Sequence, residues 1–88
     1  MTDRRVAMIT GATGGLGRVL VPDLAADGWD LVLVGSSQER LDGLVSAAGL
    51  EPDHSATVVA NPREQTAATA AVDAAYTRFG RVDALAHL

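Results

Sequence analysis

Apolar residues run along the chain in two alternating rhythms. Val6-Ala7-Met8-Ile9-Thr10 is a short apolar run that ends in glycine, the pattern of a strand buried on both faces. From Gly15 to Asp27 the apolar positions Leu16, Val19, Leu20 and Leu24 fall at helical spacing, and Gly28 supplies the stop. Leu31-Val32-Leu33-Val34 predicts a second buried strand. Ser36 or Ser37 then caps a helix with Glu39 in its first turn, and Leu41, Leu44 and Val45 point inward before Gly49 ends it. Ala56 to Ala60 predicts a third strand, stopped by Asn61-Pro62. From about Glu64 to Phe79 comes the longest helix, with Ala68, Ala71, Val72, Ala75 and Phe79 on one stripe and Gly80 at its end. Val82 to Leu88 starts a fourth strand, and the chain stops inside it.

Strands that alternate with helices of about 10–15 residues on short loops fold as βαβ units around a parallel sheet. The expected fold class is therefore α/β, a β-α-β-α-β-α-β half of a doubly wound parallel sheet, truncated in the fourth strand and spanning residues 1–88 as one unit. No internal repeat, low-complexity segment or linker interrupts it. Two features sit badly with this plan. Pro22 falls inside the first helix, where it removes a backbone hydrogen bond and crowds the preceding turn at a cost of ~3 kcal/mol, so a kink is expected there. A strand cut at Leu88 would also leave an apolar edge open to aggregation.

Composition narrows the class further. In 88 residues the apolar fraction is 48% but the aromatic fraction only 3%, so the core is built of Ala, Val and Leu, as where helices pack closely on a sheet. A chain of this length buries only about 60–65% of the surface its unfolded form exposes, and its core is marginal. A formal charge of −4 with no lysine argues against a nucleic-acid or anionic-membrane surface. With no cysteine, disulfides and thiolate zinc sites are excluded. The apolar stretch after Met1-Thr2-Asp3-Arg4-Arg5 is only Val6 to Ile9, shorter than the roughly 7–15 residues of a secretory signal, and no run approaches the ~18 of a membrane span. The expectation is a soluble, cytoplasmic protein.

The chemistry is concentrated in one turn. Gly11, Gly14, Gly15 and Gly17 put four glycines into seven residues between the first strand and the first helix. Glycine permits positive φ, its missing side chain lets backbone N–H groups approach a ligand, and the helix that follows aims its unpaired N–H groups and positive dipole end there. That context reads as a cradle for the diphosphate of a dinucleotide. The rival phosphate loop of nucleotide triphosphatases needs Gly-Lys-Ser/Thr, but Gly17 is followed by Arg18 and Val19. Elsewhere the residues read as structural. His54, beside Asp53 and Glu51, reads as solvated, Arg40, Arg63 and the Glu39–Asp42 face as exposed charges, and Trp29 as packing over the sheet edge. His87, at the end of the fourth strand, faces the crevice of a doubly wound sheet.

Thr10-Gly11-Ala12-Thr13-Gly14-Gly15-Leu16-Gly17 resembles the Thr-Gly-x-x-x-Gly-x-Gly cofactor motif of the short-chain dehydrogenase/reductase family, whose fold is Rossmann-like. The resemblance extends through Gln38-Glu39-Arg40-Leu41, Asn61 and Phe79-Gly80-Arg81-Val82-Asp83 to the end of the chain. The same glycines also satisfy Thr-Gly-x-x-Gly-x-x-Gly of epimerase-type extended members, and Thr13-Gly14-Gly15-Leu16-Gly17 is similar to polyketide ketoreductase domains, so the branch stays open. The resemblance implies that Gly11, Thr13, Gly14, Gly15, Leu16 and Gly17 hold the cofactor, with Ser36 at the adenosine ribose and Asn61 at the adenine. NAD-preferring members carry a carboxylate where this chain has Gly35-Ser36, so the balance falls to NADP over NAD.

What the resemblance implies about catalysis is an absence. The family assists hydride transfer between the nicotinamide and a small carbonyl or alcohol substrate with a tyrosine, a lysine four residues on, and a serine. Tyr76 is the only tyrosine here, Gly80 stands four residues later, and no lysine exists in the chain. The expected catalytic set within residues 1–88 is thus none, with the enzyme complete only if the chain continues past Leu88. Two further readings stay open: a non-catalytic dinucleotide-binding module, and an inactive remnant. A homo-oligomer is expected only of the complete protein.

Overall fold

The computed structural model describes residues 4–61 and 65–87. Its elements follow the expected alternation: β1 (Val6–Thr10), α1 (Gly15–Ala26), β2 (Asp30–Gly35), α2 (Gln38–Ala48), a 3-10 turn (Pro52–His54), β3 (Ser55–Val59), α3 (Gln65–Phe79) and β4 (Ala84–His87). The four strands form one parallel sheet in the order β3-β2-β1-β4. Thr10 lies level with Val34 on one side and His87 on the other, so the carboxyl ends of β1, β2 and β4 finish together. Leaving β1, the chain goes to β2 on one side and reaches β4 on the other only later. The carboxyl end of β1 is therefore the switch point at which open α/β sheets form a crevice. The fold is α/β and Rossmann-like, as expected. Pro62, Arg63, Glu64 and Leu88, which enter the readings above, lie outside the described residues.

Alternate strand residues supply two cores, one per sheet face. Val6, Met8, Val32, Val34 and Ala56 pack with Ala71, Ala75 and Phe79 of α3. Ala7, Ile9, Leu31 and Leu33 pack on the opposite face with Val21 of α1 and Leu41 and Leu44 of α2. Ile9, Leu31, Leu33 and Leu41 are fully buried, each stabilising the fold by about 1.5–3 kcal/mol. Trp29 packs against this second core, with the Arg5 guanidinium 4.3 Å over its ring.

Two local readings, in α1 and α3, are revised, and one in α2 is narrowed. In α1, Leu16 and Val19 are 71% and 66% exposed, and the helix docks instead through Gly17 and Val21, with Leu20, Leu24 and Ala25 half-buried. The closest approach is made by a glycine, which carries no hydrophobic signal, so a stripe read from large residues is rotated off the true face. The helix continues through Pro22 to Ala26. In α2 it is Ser37 that caps, its Oγ accepting the Arg40 N–H at 3.3 Å, and Gly49 closes the helix in the left-handed region at φ 69°. In α3 the buried stripe is Ala71, Ala75 and Phe79, while Ala68 and Val72 are exposed.

His54 is not a solvated residue. Its Nδ1 lies 2.8 Å from Oδ1 of Asp30, a carboxylate only 1% exposed that also accepts from Nε of Arg4 at 2.6 Å. This cluster sits at the amino end of β2, the pole opposite the glycine turn. Sequence spacing hides it because Arg4, Asp30 and His54 come from three separate elements.

Asp83 ties β4 to β1. Its backbone N–H donates to the Val6 carbonyl at 2.8 Å, and its carboxylate accepts the Val6 N–H at 2.8 Å and both Arg81 contacts at 2.7 and 2.8 Å. The Arg81 hydrogen bonds, and then the Val6 amide, hold the Asp83 carboxyl below its ordinary value of 3.8. A depressed folded value adds stability that is complete above the ordinary value and is lost as the pH falls through the lower one. Urea unfolding midpoints of the wild type are therefore expected to drop below about pH 4, and those of Asp83→Asn to drop less over the same window. Equal acid slopes for the two proteins would refute this role.

Candidate functional site

The site is built on the turn between β1 and α1. Gly11 leaves the strand at φ 67°, a conformation that side chains beyond glycine rarely adopt, and the Gly14 N–H donates to its carbonyl at 3.1 Å. The Ala12 N–H donates across to the Val34 carbonyl at 3.2 Å, tying the turn to β2, and the Ala12 side chain is fully buried. Gly14 is the N-cap of α1 and provides no side-chain acceptor, and the first turn carries no acidic residue. The amides that open α1 therefore have no capping side chain, and they are the donors an anion would use.

Gly17 holds the turn at its distance from the helix. A Cβ there would overlap the Ala12 carbonyl oxygen and stand 2.8 Å from Ala12 Cα. At Gly35 a Cβ would meet Leu41 Cδ2 at 3.2 Å and Thr13 Cγ2 at 3.6 Å, so the last residue of β2 is also closely overlaid by the turn.

These constraints leave a groove of about 380 Å³ over the carboxyl ends of β1 and β2. It is lined by Gly11, Thr13, Gly14, Gly15, Leu16, Val34, Gly35, Ser36 and Ala60. The groove thus brings together six of the eight residues named from the sequence: Gly11, Thr13, Gly14, Gly15, Leu16 and Ser36. Exposed Leu16 finds a place there as an apolar wall. Gly17 is buried beneath the turn as its support, and Asn61 is exposed one residue beyond the lining Ala60. Val34, Gly35 and Ala60 are wall residues not assigned to the site from the sequence. The Ala60 N–H donates to the Gly35 carbonyl at 2.9 Å, which continues the β2–β3 pairing up to the rim.

A glycine turn with uncapped amides, beside a groove ending in two small residues and a hydroxyl, fits a diphosphate bonded to an adenosine. At the adjacent switch point, His87 Nδ1 lies 2.7 Å from Thr10 Oγ1. Tyr76 is exposed on α3 and does not line the groove. Among the described residues no group of three or more His, Cys, Asp or Glu side chains could hold a metal ion, and no helix is long and apolar enough to cross a membrane.

The same stretch recurs in known proteins. The family model for short chain dehydrogenase matches residues 5–87. The A-factor type gamma-butyrolactone 1'-reductase (1S-forming) of Streptomyces virginiae is 38% identical, over 96% of this chain and 35% of the relative. The structure of 3-ketoacyl-(acyl-carrier-protein) reductase from Brucella melitensis complexed with NADH superposes with a TM-score of 0.80 at 32% identity, over 92% of this chain and 32% of that one. A variant of actinorhodin polyketide ketoreductase with NADPH superposes at 0.85 with 27% identity, over 98% of this chain and 33% of that one. The chain spans 27–35% of the length of such curated relatives.

Proposed function

The chain belongs to the short chain dehydrogenase family, and from that membership we propose that the groove over β1 and β2 binds a nicotinamide dinucleotide, NADP(H) ahead of NAD(H). In this reading residues 1–88 are the dinucleotide-binding half of an oxidoreductase that moves hydride between the nicotinamide and a small carbonyl or alcohol substrate. The observation that carries it is the glycine turn with uncapped α1 amides opening onto a groove that ends at Ser36.

Each residue has a stated part. Gly11 reverses the chain, Gly14 and Gly15 keep side chains out of the approach, and the Gly15, Leu16 and Gly17 amides donate to the diphosphate. Ser36, at the carboxyl end of β2, donates to the adenosine ribose or its 2′-phosphate, and Asn61 beyond β3 accepts from the adenine amino group. When bound, the nicotinamide supplies or accepts the hydride. The acid/base tyrosine and its lysine partner belong to no position of these 88 residues in this reading; relatives about three times as long support that division. The same reading assigns the protein to the cytoplasm.

Titration of the chain with NADPH and with NADH, followed by nucleotide fluorescence, tests the site directly. Ser36→Asp is expected to weaken NADPH at least tenfold, about 1.4 kcal/mol, because a carboxylate would face the 2′-phosphate, while NADH binding is kept. Binding of neither nucleotide by the wild type would overturn the cofactor reading. An unchanged NADPH affinity in the variant would overturn the part given to Ser36.

A further inference from the structure

Aspartate followed by glycine occurs twice in the chain, at Asp27-Gly28 and at Asp42-Gly43. The pair carries a chemistry of its own. Glycine puts no side chain in the way of its backbone nitrogen. That nitrogen can attack the carboxyl carbon of the residue before it and close a five-membered ring. Both aspartates are exposed, so access to water does not separate them. The backbone does.

Asp42 stands inside α2 between the buried Leu41 and Leu44, and its Oδ1 accepts from Gln38 Nε2 at 2.7 Å. Turning its backbone for ring closure breaks the helix ladder and lifts both leucines off the core. Asp27 is the C-cap of α1, at φ −83° and ψ 3°, and Gly28 turns the chain into the left-handed region at φ 86°. The Gly28 N–H donates to the Ala25 carbonyl and the Trp29 N–H to the Leu24 carbonyl, both at 3.1 Å. These are bonds of the helix end, the part of a helix that frays first. The Asp27 side chain is 68% exposed, and its Oδ2 is held by two long contacts, Trp29 Nε1 at 3.3 Å and Arg5 Nη2 at 3.6 Å.

We propose that Asp27-Gly28 is a site of spontaneous isomerisation to isoaspartate, and that the fold protects Asp42-Gly43 from the same reaction. The Gly28 nitrogen forms a bond to Asp27 Cγ, and its proton leaves with the carboxyl hydroxyl as water, which gives a succinimide. Water then opens the ring. Attack at the side-chain carbonyl restores aspartate, and attack at the main-chain carbonyl gives isoaspartate, whose backbone runs through Cβ. The added main-chain carbon falls between α1 and β2, and the carboxylate moves to Cα, away from Trp29 Nε1 and Arg5. Trp29 is the single tryptophan of the chain, with the Arg5 guanidinium 4.3 Å over its ring, so its fluorescence reports the change. The site lies just before β2, at the pole opposite the groove, and does not depend on a bound cofactor.

The test ages the 88-residue chain near neutral pH, folded and in urea, and then digests it with trypsin. Cleavage after Arg18, Arg40 and Arg63 puts the two sites in different peptides, 19–40 and 41–63. Isoaspartate in each is counted by electron-transfer fragmentation and by methylation with an isoaspartyl methyltransferase. In the folded chain it is expected at least tenfold more at Asp27 than at Asp42, about 1.4 kcal/mol in barrier. In urea the two rates should converge to within about threefold, because the protection belongs to the folded helix. Asp27→Glu keeps the charge but enlarges the ring that must close, so it should stop the reaction at that site. Its Trp29 emission should hold steady on ageing while that of the wild type drifts, and circular dichroism melts confirm that the variant is folded. Equal accumulation at the two sites of the folded chain, or none at Asp27, overturns the proposal. Equal drift in the variant and the wild type overturns the effect given to Trp29.

Discussion

Gly17→Ala is expected to abolish dinucleotide binding and to lower the melting temperature by roughly 10–20 °C. The added methyl has no room: it would overlap the Ala12 carbonyl oxygen and lie 2.8 Å from Ala12 Cα. Overpacking usually costs about 1–3 kcal/mol when side chains can adjust. Here the obstacle is backbone. Ala12 is itself fixed, because its N–H donates to Val34 and its side chain is fully buried. Either α1 must move away from the turn or the turn must detach from β2, so a cost near 3 kcal/mol is expected, which for a domain of this size corresponds to that shift. Either movement also takes the Gly15, Leu16 and Gly17 amides away from the groove, so binding is lost even where the fold survives. Gly15→Ala is the control, since a Cβ there meets nothing within 4 Å, and it should melt within about 2 °C of the wild type. Thermal melts by circular dichroism with NADPH titrations decide the matter. A Gly17→Ala protein that melts and binds like the wild type would show that the close approach is not required.

Most of this architecture could be read from the chain because its signals are local. Each strand holds a run of mostly apolar residues, and β1, β2 and β3 lie within one residue of the expected ends. The glycine turn is a run of adjacent residues and supplies five of the six expected residues that line the groove, the glycines among them legible from backbone freedom; Thr13, Leu16 and Ser36 are expected from the family resemblance. What could not be read depends on distance. The docking face of α1 is set by where Gly17 meets Ala12, five residues back and around a turn, and glycine leaves no mark on a hydrophobic pattern. Of the two serines after β2, Ser37 caps and Ser36 lines the groove, a division that the helix start decides.

Removing the Asp30 carboxylate is expected to destabilise the chain more than any change on its polar surface. Asp30 is 1% exposed, and its Oδ1 takes both Arg4 Nε at 2.6 Å and His54 Nδ1 at 2.8 Å. Arg4 also donates to the Trp29 carbonyl at 3.2 Å, so the cluster binds the segment before β1, the start of β2 and the turn before β3 into one corner. Breaking a buried pair by deleting one partner costs about 3–5 kcal/mol because the other charge stays buried and unpaired. Here the Arg4 and His54 side chains that lose this carboxylate are 34% and 35% exposed, and Arg4 keeps its bond to the Trp29 carbonyl, so Asp30→Ala should cost about 2–3 kcal/mol. That is a large fraction of the 5–10 kcal/mol expected in total for a domain of roughly this size. Asp30→Asn keeps the shape and one acceptor oxygen, and should fall between the two. The position of the cluster supplies the second half of the prediction. Asp30 begins β2 and Gly35 ends it, so the groove lies at the opposite pole of the sheet. Under conditions where Asp30→Ala is fully folded, its Kd for NADPH should match the wild type. Urea unfolding gives the stability and fluorescence titration the affinity. A variant of unchanged midpoint would remove the cluster from the account of stability, and a folded variant with weakened NADPH binding would show that the two poles are coupled.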